Sequence, residues 1–308
     1  MNILQDIIDK YGLMILDGAF ATELERRGFQ INDALWSANA LASAPELIKE
    51  VHTDYFAAGA DCAITASYQA SVEGFQKKGF SEEEAVRLIR LSVALAKEAR
   101  DDFWQKHQNE NRPQPLVAAS VGPYGAFLAD GSEYRGDYTV DEAFLQEFHR
   151  SRIAILLAEK PDILACETIP CLMEARAIAH VLQQWPEAAA WVSFSCRDEE
   201  HISNGEKIAD CAAWLDQIAQ IQAIGLNCTA PQYVENLIRE IRKHTDKPIL
   251  VYPNSGESYD AKEKDWHGES ADFAGYTKLW QAAGARMIGG CCRTTPADIR
   301  SIAAWARK

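Results

Sequence analysis

Short apolar runs rich in β-branched residues recur along the chain, at 13–20, 62–68, 116–121, 163–168, 190–196, 223–228, 248–253 and 286–291. Between them lie longer segments whose apolar positions fall three and four apart, the spacing of amphipathic helices. Eight predicted strands alternating with about eight helices point to the α/β class. In about 300 residues that count favours a closed, TIM-type (β/α)8 barrel over an open doubly wound sheet. Pro45, Pro170, Pro231 and Pro296 sit where a first helical turn would start, and Thr295 with Asp298 has capping-box spacing. Gly59 and Gly284 each follow a helical run and precede a strand, as left-handed caps do. No low-complexity linker interrupts the pattern. The polar stretches 101–114 and 259–269 are short enough to be barrel loops, so residues 1–308 are expected to form one domain.

Barrel active sites are built at the carboxyl ends of the strands, so the residues closing each run carry the chemistry. These are Asp17 after the first, Thr65 and Tyr68 after the second, Ser120 at the third, Glu167 at the fourth, Asn227 and Cys228 at the sixth, and Cys291 with Cys292 at the last. The three cysteines are the sharpest constellation. Cys291 and Cys292 can share one ion only where the pleat breaks, and Gly289-Gly290 offers backbone freedom for that. Packed core thiols and a vicinal disulfide are the alternatives, the latter disfavoured by strain and by a reducing compartment. Cys62, Cys166, Cys171, Cys196 and Cys211 have no ligand spacing and read as small buried hydrophobes, with Cys166 turned into the barrel wall.

Asp17, before Gly18, is either a turn former or a functional carboxylate. Glu167 closes an apolar strand, where a buried charge requires a cationic partner or a ligand ammonium. Asn227 either meets substrate or satisfies backbone groups. The segment 122–138, rich in glycine and aromatic rings, reads as a lid whose rings pack against a cation, or as an ordinary βα loop. Trp36, Tyr68, Tyr124 and Tyr134 are the rings that such a pocket would use.

Composition narrows the partners. The chain is 47% hydrophobic and 25% charged, enough apolar content for a substantial core. A net charge of −14 repels phosphate backbones and anionic lipid, so neither nucleic acid nor membrane is expected as a partner. The start lacks the basic and then apolar run of a signal peptide, which predicts a cytoplasmic protein. Eight cysteines in a chain this long are too sparse for a disulfide scaffold and leave buried thiols, metal ligands or thiolates as their roles.

Three protein ligands leave zinc one open position, the arrangement of a catalytic site. Three thiolates cancel the ion's charge and make it a weak activator of water, so such a site suits a sulfur ligand better. Zinc would deprotonate a substrate thiol and leave it nucleophilic toward carbon, and a sulfonium electrophile would neutralise it in the transition state. Metal-assisted hydrolysis and a closed zinc or redox sensor are the competing classes.

The run Asp17-Gly18-Ala19, the Ser120-Val121-Gly122-Pro123 turn, the Asp130-Gly131-Ser132-Glu133-Tyr134 loop, Glu167-Thr168, Gly225-Leu226-Asn227-Cys228 and Gly289-Gly290-Cys291-Cys292 resemble the homocysteine S-methyltransferases over nearly the whole chain. The resemblance implies a zinc-dependent barrel that methylates homocysteine to methionine. Cys228, Cys291 and Cys292 would hold Zn2+, Asp17 and Glu167 would bind the homocysteine ammonium, and Ser120 would contact its carboxylate, with Thr65 and Asn227 nearby. The branch resembled most uses S-methylmethionine as donor, with S-adenosylmethionine weaker. Selenocysteine methyltransferases share the motifs. A C-terminal dimerisation arm of the betaine-using branch is lacking, which favours a monomer.

Overall fold

The computed structural model describes residues 2–30, 36–260, 265–267 and 272–308, without the side chains of 36, 37, 258–260 and 265–267. Eight parallel strands form one nearly closed barrel: β1 (Met14–Ile15), β2 (Cys62–Ile64), β3 (Leu116–Val121), β4 (Ile163–Ile169), β5 (Ala190–Phe194), β6 (Ile221–Asn227), β7 (Ile249–Tyr252) and β10 (Ala285–Ile288). Their order is β1-β10-β7-β6-β5-β4-β3-β2, and a parallel bridge from Leu16 to Cys62 brings β1 back to β2. Two further short strands, β8 (Ser258–Asp260) and β9 (Asp265–His267), pair antiparallel after β7. The fold is the (β/α)8 barrel expected.

Period-two alternation sorts the strand residues into two cores. Leu13, Ile15, Ala119, Leu164, Cys166 and Val192 face outward against the helices. Met14, Leu16, Ala118, Ala165, Trp191, Ala223, Leu250 and Met287 fill the interior. Alanines on three strands make room there for the Trp191 indole and the two methionines, as close packing of a small barrel requires. The helix Ile3–Tyr11, capped by the Asn2 side chain, sends Leu4, Ile7 and Ile8 into the same cluster and closes the barrel's amino end.

Most punctuation lies where the sequence places it. Pro45, Pro231 and Pro296 open helices, Thr295 and Asp298 form the capping box, and Gly59 and Gly284 end helices at positive φ. Four readings change. Pro170 is a connector, because β4 runs through Ile169 and the next helix, Leu172–Leu182, begins after Cys171. The first two strands are shorter than 13–20 and 62–68, since Phe20 already starts a helix and the chain turns after Ile64. Of the stretch 101–114, the first seven residues belong to the helix Glu82–His107, and 259–269 contributes to the β8–β9 pair. The segment 122–138 is no free loop: it contains the helix Tyr124–Leu128 and a 3-10 turn at Ser132–Tyr134. No helix among the described residues is long and apolar enough to cross a membrane.

Candidate functional site

Continuing the inward-facing parity past the apolar layer, by two residues on β3, β4, β5 and β7 and by four on β6, where Gly225 intervenes, gives Ser120, Glu167, Ser193, Asn227 and Tyr252 on the successive strands β3 to β7. All five are buried, so a polar ring sits on the apolar plug at the carboxyl end. The ring is internally bonded. Ser193 Oγ donates to Asn227 Oδ1 (2.8 Å) and lies 2.6 Å from the Tyr252 hydroxyl, which also accepts from Trp191 Nε1 (3.2 Å). Asn227 Oδ1 takes the Thr168 N–H at 2.7 Å, and its Nδ2 donates to Thr168 Oγ1 at 2.7 Å. Thr168 has φ 58°, a left-handed conformation that a β-branched residue rarely adopts, and the Asn227 amide holds it there. Asn227 thereby anchors the residue that follows Glu167.

Glu167 accepts hydrogen bonds from the hydroxyls of Ser120 and Tyr252. Burial still pushes its carboxyl up to about 7, since hydroxyl donors do not replace lost hydration. Asp17 is also buried and accepts the Ile64 N–H at 2.8 Å. Burial raises its carboxyl well above the usual range, the Ile64 bond opposes this, and the nearby Glu167 charge adds to it. Neither carboxylate has an ion-pair partner among the described residues. Two buried acids sharing one field without a cation are an arrangement that a positively charged group would relieve.

Thr65 serves this pair indirectly. Its Oγ1 takes the Ser120 N–H (3.0 Å) and lies 2.7 Å from Ser67 Oγ, which donates to the Ser120 carbonyl (2.8 Å). Ser120 is therefore clamped at both backbone groups and points its hydroxyl at Glu167.

The cysteines converge at the same end. Cys228, at φ 46°, follows β6 and donates its N–H to the Tyr252 carbonyl (3.3 Å), while Cys291 donates to the Pro253 carbonyl (2.8 Å) and the Cys292 carbonyl accepts from Ser255 (3.1 Å). The strand before Cys291 stops at Ile288, so the pleat is broken where the two neighbouring thiols need it. Gly289 serves a different purpose from the dihedral freedom expected of it. A Cβ there would lie 2.6 Å from the Asp17 carbonyl and from Leu16 Cβ, so the glycine allows close approach of β10 to β1, and the left-handed residue of the turn is Arg293. The sulfurs of all three cysteines lie within 4.8 Å of one another. The Cys228 and Cys291 sulfurs are in direct contact, with Cα atoms 5.5 Å apart, and Cys292 lies beside them. Burial pushes the Cys292 thiol up to about 12, so it becomes a thiolate only beside a cation.

In the reduced state the trio fits a divalent ion. Sulfurs at about 2.3 Å from a tetrahedral zinc stand about 3.8 Å apart, within the observed spread. The five remaining cysteines have other surroundings. Cys62, Cys166, Cys171 and Cys211 are buried among apolar side chains, Cys196 is half-buried, and Cys166 faces the helices as expected.

The aromatic rings differ in their surroundings. Tyr68 stands at the rim with its phenol bonded by the Thr168 hydroxyl and close to Tyr134 and Glu133. Tyr134 is 46% exposed beside it. Tyr124 packs elsewhere, edge-on to Tyr138, Phe144 and Phe148 at 5.1–5.5 Å, because its N–H is tied to Glu174 (2.6 Å). Trp36 begins a short 3-10 helix, and its side chain lies outside the described residues. Ser193 and Tyr252, which line the polar ring, are not found by reading strand ends alone, and inward parity on β5 and β7 identifies them.

The chain matches known proteins over nearly their full length. A sequence profile described as homocysteine S-methyltransferase matches residues 14–306. Homocysteine S-methyltransferase YbgG of Bacillus subtilis is 59% identical over 310 aligned positions, covering 100% of this chain and 98% of that protein. Homocysteine methyltransferase MmuM of Escherichia coli in its metallated form superposes with a TM-score of 0.89 at 47% identity, covering 98% of this chain and 99% of that one. The same enzyme in its oxidized form gives a TM-score of 0.89 with 99% of each chain covered. A barrel whose carboxyl end joins a thiol trio to two unpaired buried acids, matched end to end by these relatives, belongs to the homocysteine S-methyltransferase family.

Proposed function

We propose that this protein transfers a methyl group from S-methylmethionine to the thiol of homocysteine, with zinc as its metal. The C–S bond of the sulfonium breaks, a new C–S bond forms at homocysteine sulfur, one proton is released and two methionines result. The observation that carries the reading is the thiol trio beside two buried acids with no cation of their own.

Cys228, Cys291 and Cys292 would hold the metal as thiolates. Bound zinc supplies a means of deprotonating an incoming thiol at neutral pH. Asp17 and Glu167 bind the homocysteine ammonium, and that cation favours the ionised form of both acids. Ser120 and Tyr252 fix the Glu167 carboxylate, and Thr65 fixes Ser120. The homocysteine carboxylate is assigned to the turn after Ser120, and the donor enters from the Tyr68 and Tyr134 side of the rim. Because the trio works only when reduced, the reading implies a reducing, cytoplasmic setting.

The test is to incubate reduced, zinc-loaded protein with homocysteine and methyl-labelled S-methylmethionine. The expected result is two methionines per turnover, one of them labelled at the transferred methyl, and about one zinc per chain by elemental analysis. Methionine no higher than in a chelator-treated control overturns the reading, and faster turnover with S-adenosylmethionine overturns the donor assignment.

A further inference from the structure

Arg152, on the helix Glu142–Ala158, is 2% exposed and makes no ion pair among the described residues. Burying a guanidinium this way is costly, and its Nε lacks any partner. Its two hydrogen bonds are specific: Nη1 donates to the Gly122 carbonyl (3.0 Å) and Nη2 to the Tyr68 carbonyl (2.9 Å), the chain just past β3 and just past β2. Those two residues are in direct contact, since a Cβ on Gly122 would lie 2.7 and 2.8 Å from the Tyr68 ring carbons.

A second buried charge meets the same turn from the other side. Glu174, fully buried, accepts the Tyr124 N–H (2.6 Å) and a bond from His149 Nε2 (2.8 Å). The chain on both sides of Pro123 is thus held by a buried charge, the Gly122 carbonyl by Arg152 and the Tyr124 N–H by Glu174. We propose that Arg152 is a positioning residue for methyl-donor binding, acting through Tyr68: it fixes the backbone from which the Tyr68 ring reaches the rim, where the phenol meets Thr168 beside Glu167. This rests on the reading that the donor binds on the Tyr68 side. A general contribution to folding would not explain why both bonds end on the two carbonyls that frame this ring.

The test uses reduced, zinc-loaded full-length protein. Calorimetric affinity for S-methylmethionine and for homocysteine is measured for wild type, R152K, Y68L and the double variant, alongside KM for each substrate. R152K is expected to weaken donor affinity about tenfold while homocysteine affinity stays within about twofold, and R152K in the Y68L background should cost nothing more. R152Q, which removes the buried charge, replaces R152K if that variant does not fold, and the same split is expected. Equal loss for both ligands, or losses that multiply in the double variant, would assign Arg152 a purely structural role. A wild type that binds both ligands beside an Arg152 variant with normal donor affinity overturns this inference alone. Wild-type protein that binds neither ligand overturns the functional reading and this inference with it.

Discussion

The two ends of the barrel each bury carboxylates and treat them differently. At the amino end Asp61, just before β2, accepts the Ile15 N–H (2.8 Å) and pairs with Arg307, which also donates to the Leu13 carbonyl (2.9 Å). Arg112 stands nearby, bonded to the carbonyls of Phe56 and Ala60. Burial pushes Asp61 up to about 6, and Arg307 and Arg112 pull against it, so the chain itself provides this acid's cations. At the carboxyl end Asp17 and Glu167 have, among the described residues, only hydroxyl and N–H donors. The first arrangement joins the β1–β2 seam to the C-terminal helix. The second leaves a charge unanswered, which is how a binding site differs from a staple.

Removing a thiol should have the largest effect. Cys292→Ala deletes one of the three clustered sulfurs and is expected to abolish zinc retention and lower methyl transfer by at least about a thousandfold, with the far-ultraviolet dichroism unchanged. Full zinc content in this variant would take Cys292 out of the site.

The two kinds of acid should respond oppositely to neutralisation. Glu167 holds its proton up to about pH 7 when folded and to 4.5 when unfolded, so the native state binds more protons between these values and loses stability as pH rises through that window. The shift corresponds to about 3 kcal/mol, absent below pH 4.5 and complete above pH 7. Glu167→Gln, which keeps an acceptor for Ser120, should therefore raise the melting temperature increasingly from pH 5 to pH 8 while raising KM for homocysteine at least about tenfold. Burial raises Asp61 to about 6, so its ionisation also costs stability above that pH, but Asp61→Asn strands Arg307 and Arg112 without their anion, and this larger loss should leave the variant destabilised by about 2 kcal/mol. Thermal melts of both variants across pH decide the comparison, and a stabilised Asp61→Asn or a destabilised Glu167→Gln at pH 8 would break it.

The smallest effect is expected at Thr65. Thr65→Val leaves the Ser120 N–H without its acceptor and should cost about 1–2 kcal/mol in denaturant titration, with KM for homocysteine up no more than about threefold. An unchanged midpoint would mean that another acceptor replaces it.

Much of this was legible before any coordinates. Strand positions followed from apolar runs, helix starts from Pro45, Pro231 and Pro296, and the active end from the polar residues that close the strands, because these are local patterns with local causes. The trio was legible because three thiols at ends of strands separated by one neighbour have few other roles. The fates of Tyr124 and Asn227 were not. Tyr124 stands in a stretch that reads as an aromatic lid, yet its N–H is held by Glu174, fifty residues away, and its ring follows into a packed cluster. Asn227 reads as meeting substrate or satisfying neighbouring groups, and only the structure shows both ends of its amide used on Thr168 and Ser193.

By itself the sequence determined the alternation of elements, the inward and outward faces of each strand, and the residue types available at the carboxyl end, since periodicity and chain punctuation are properties of neighbours. Only the tertiary structure decided which of those polar groups satisfy one another and which are left without a partner. Hydrogen bonds and ion pairs between strands depend on register and barrel closure, and closure is what gives Asp61 two cations while leaving Asp17 and Glu167 with none among the described residues.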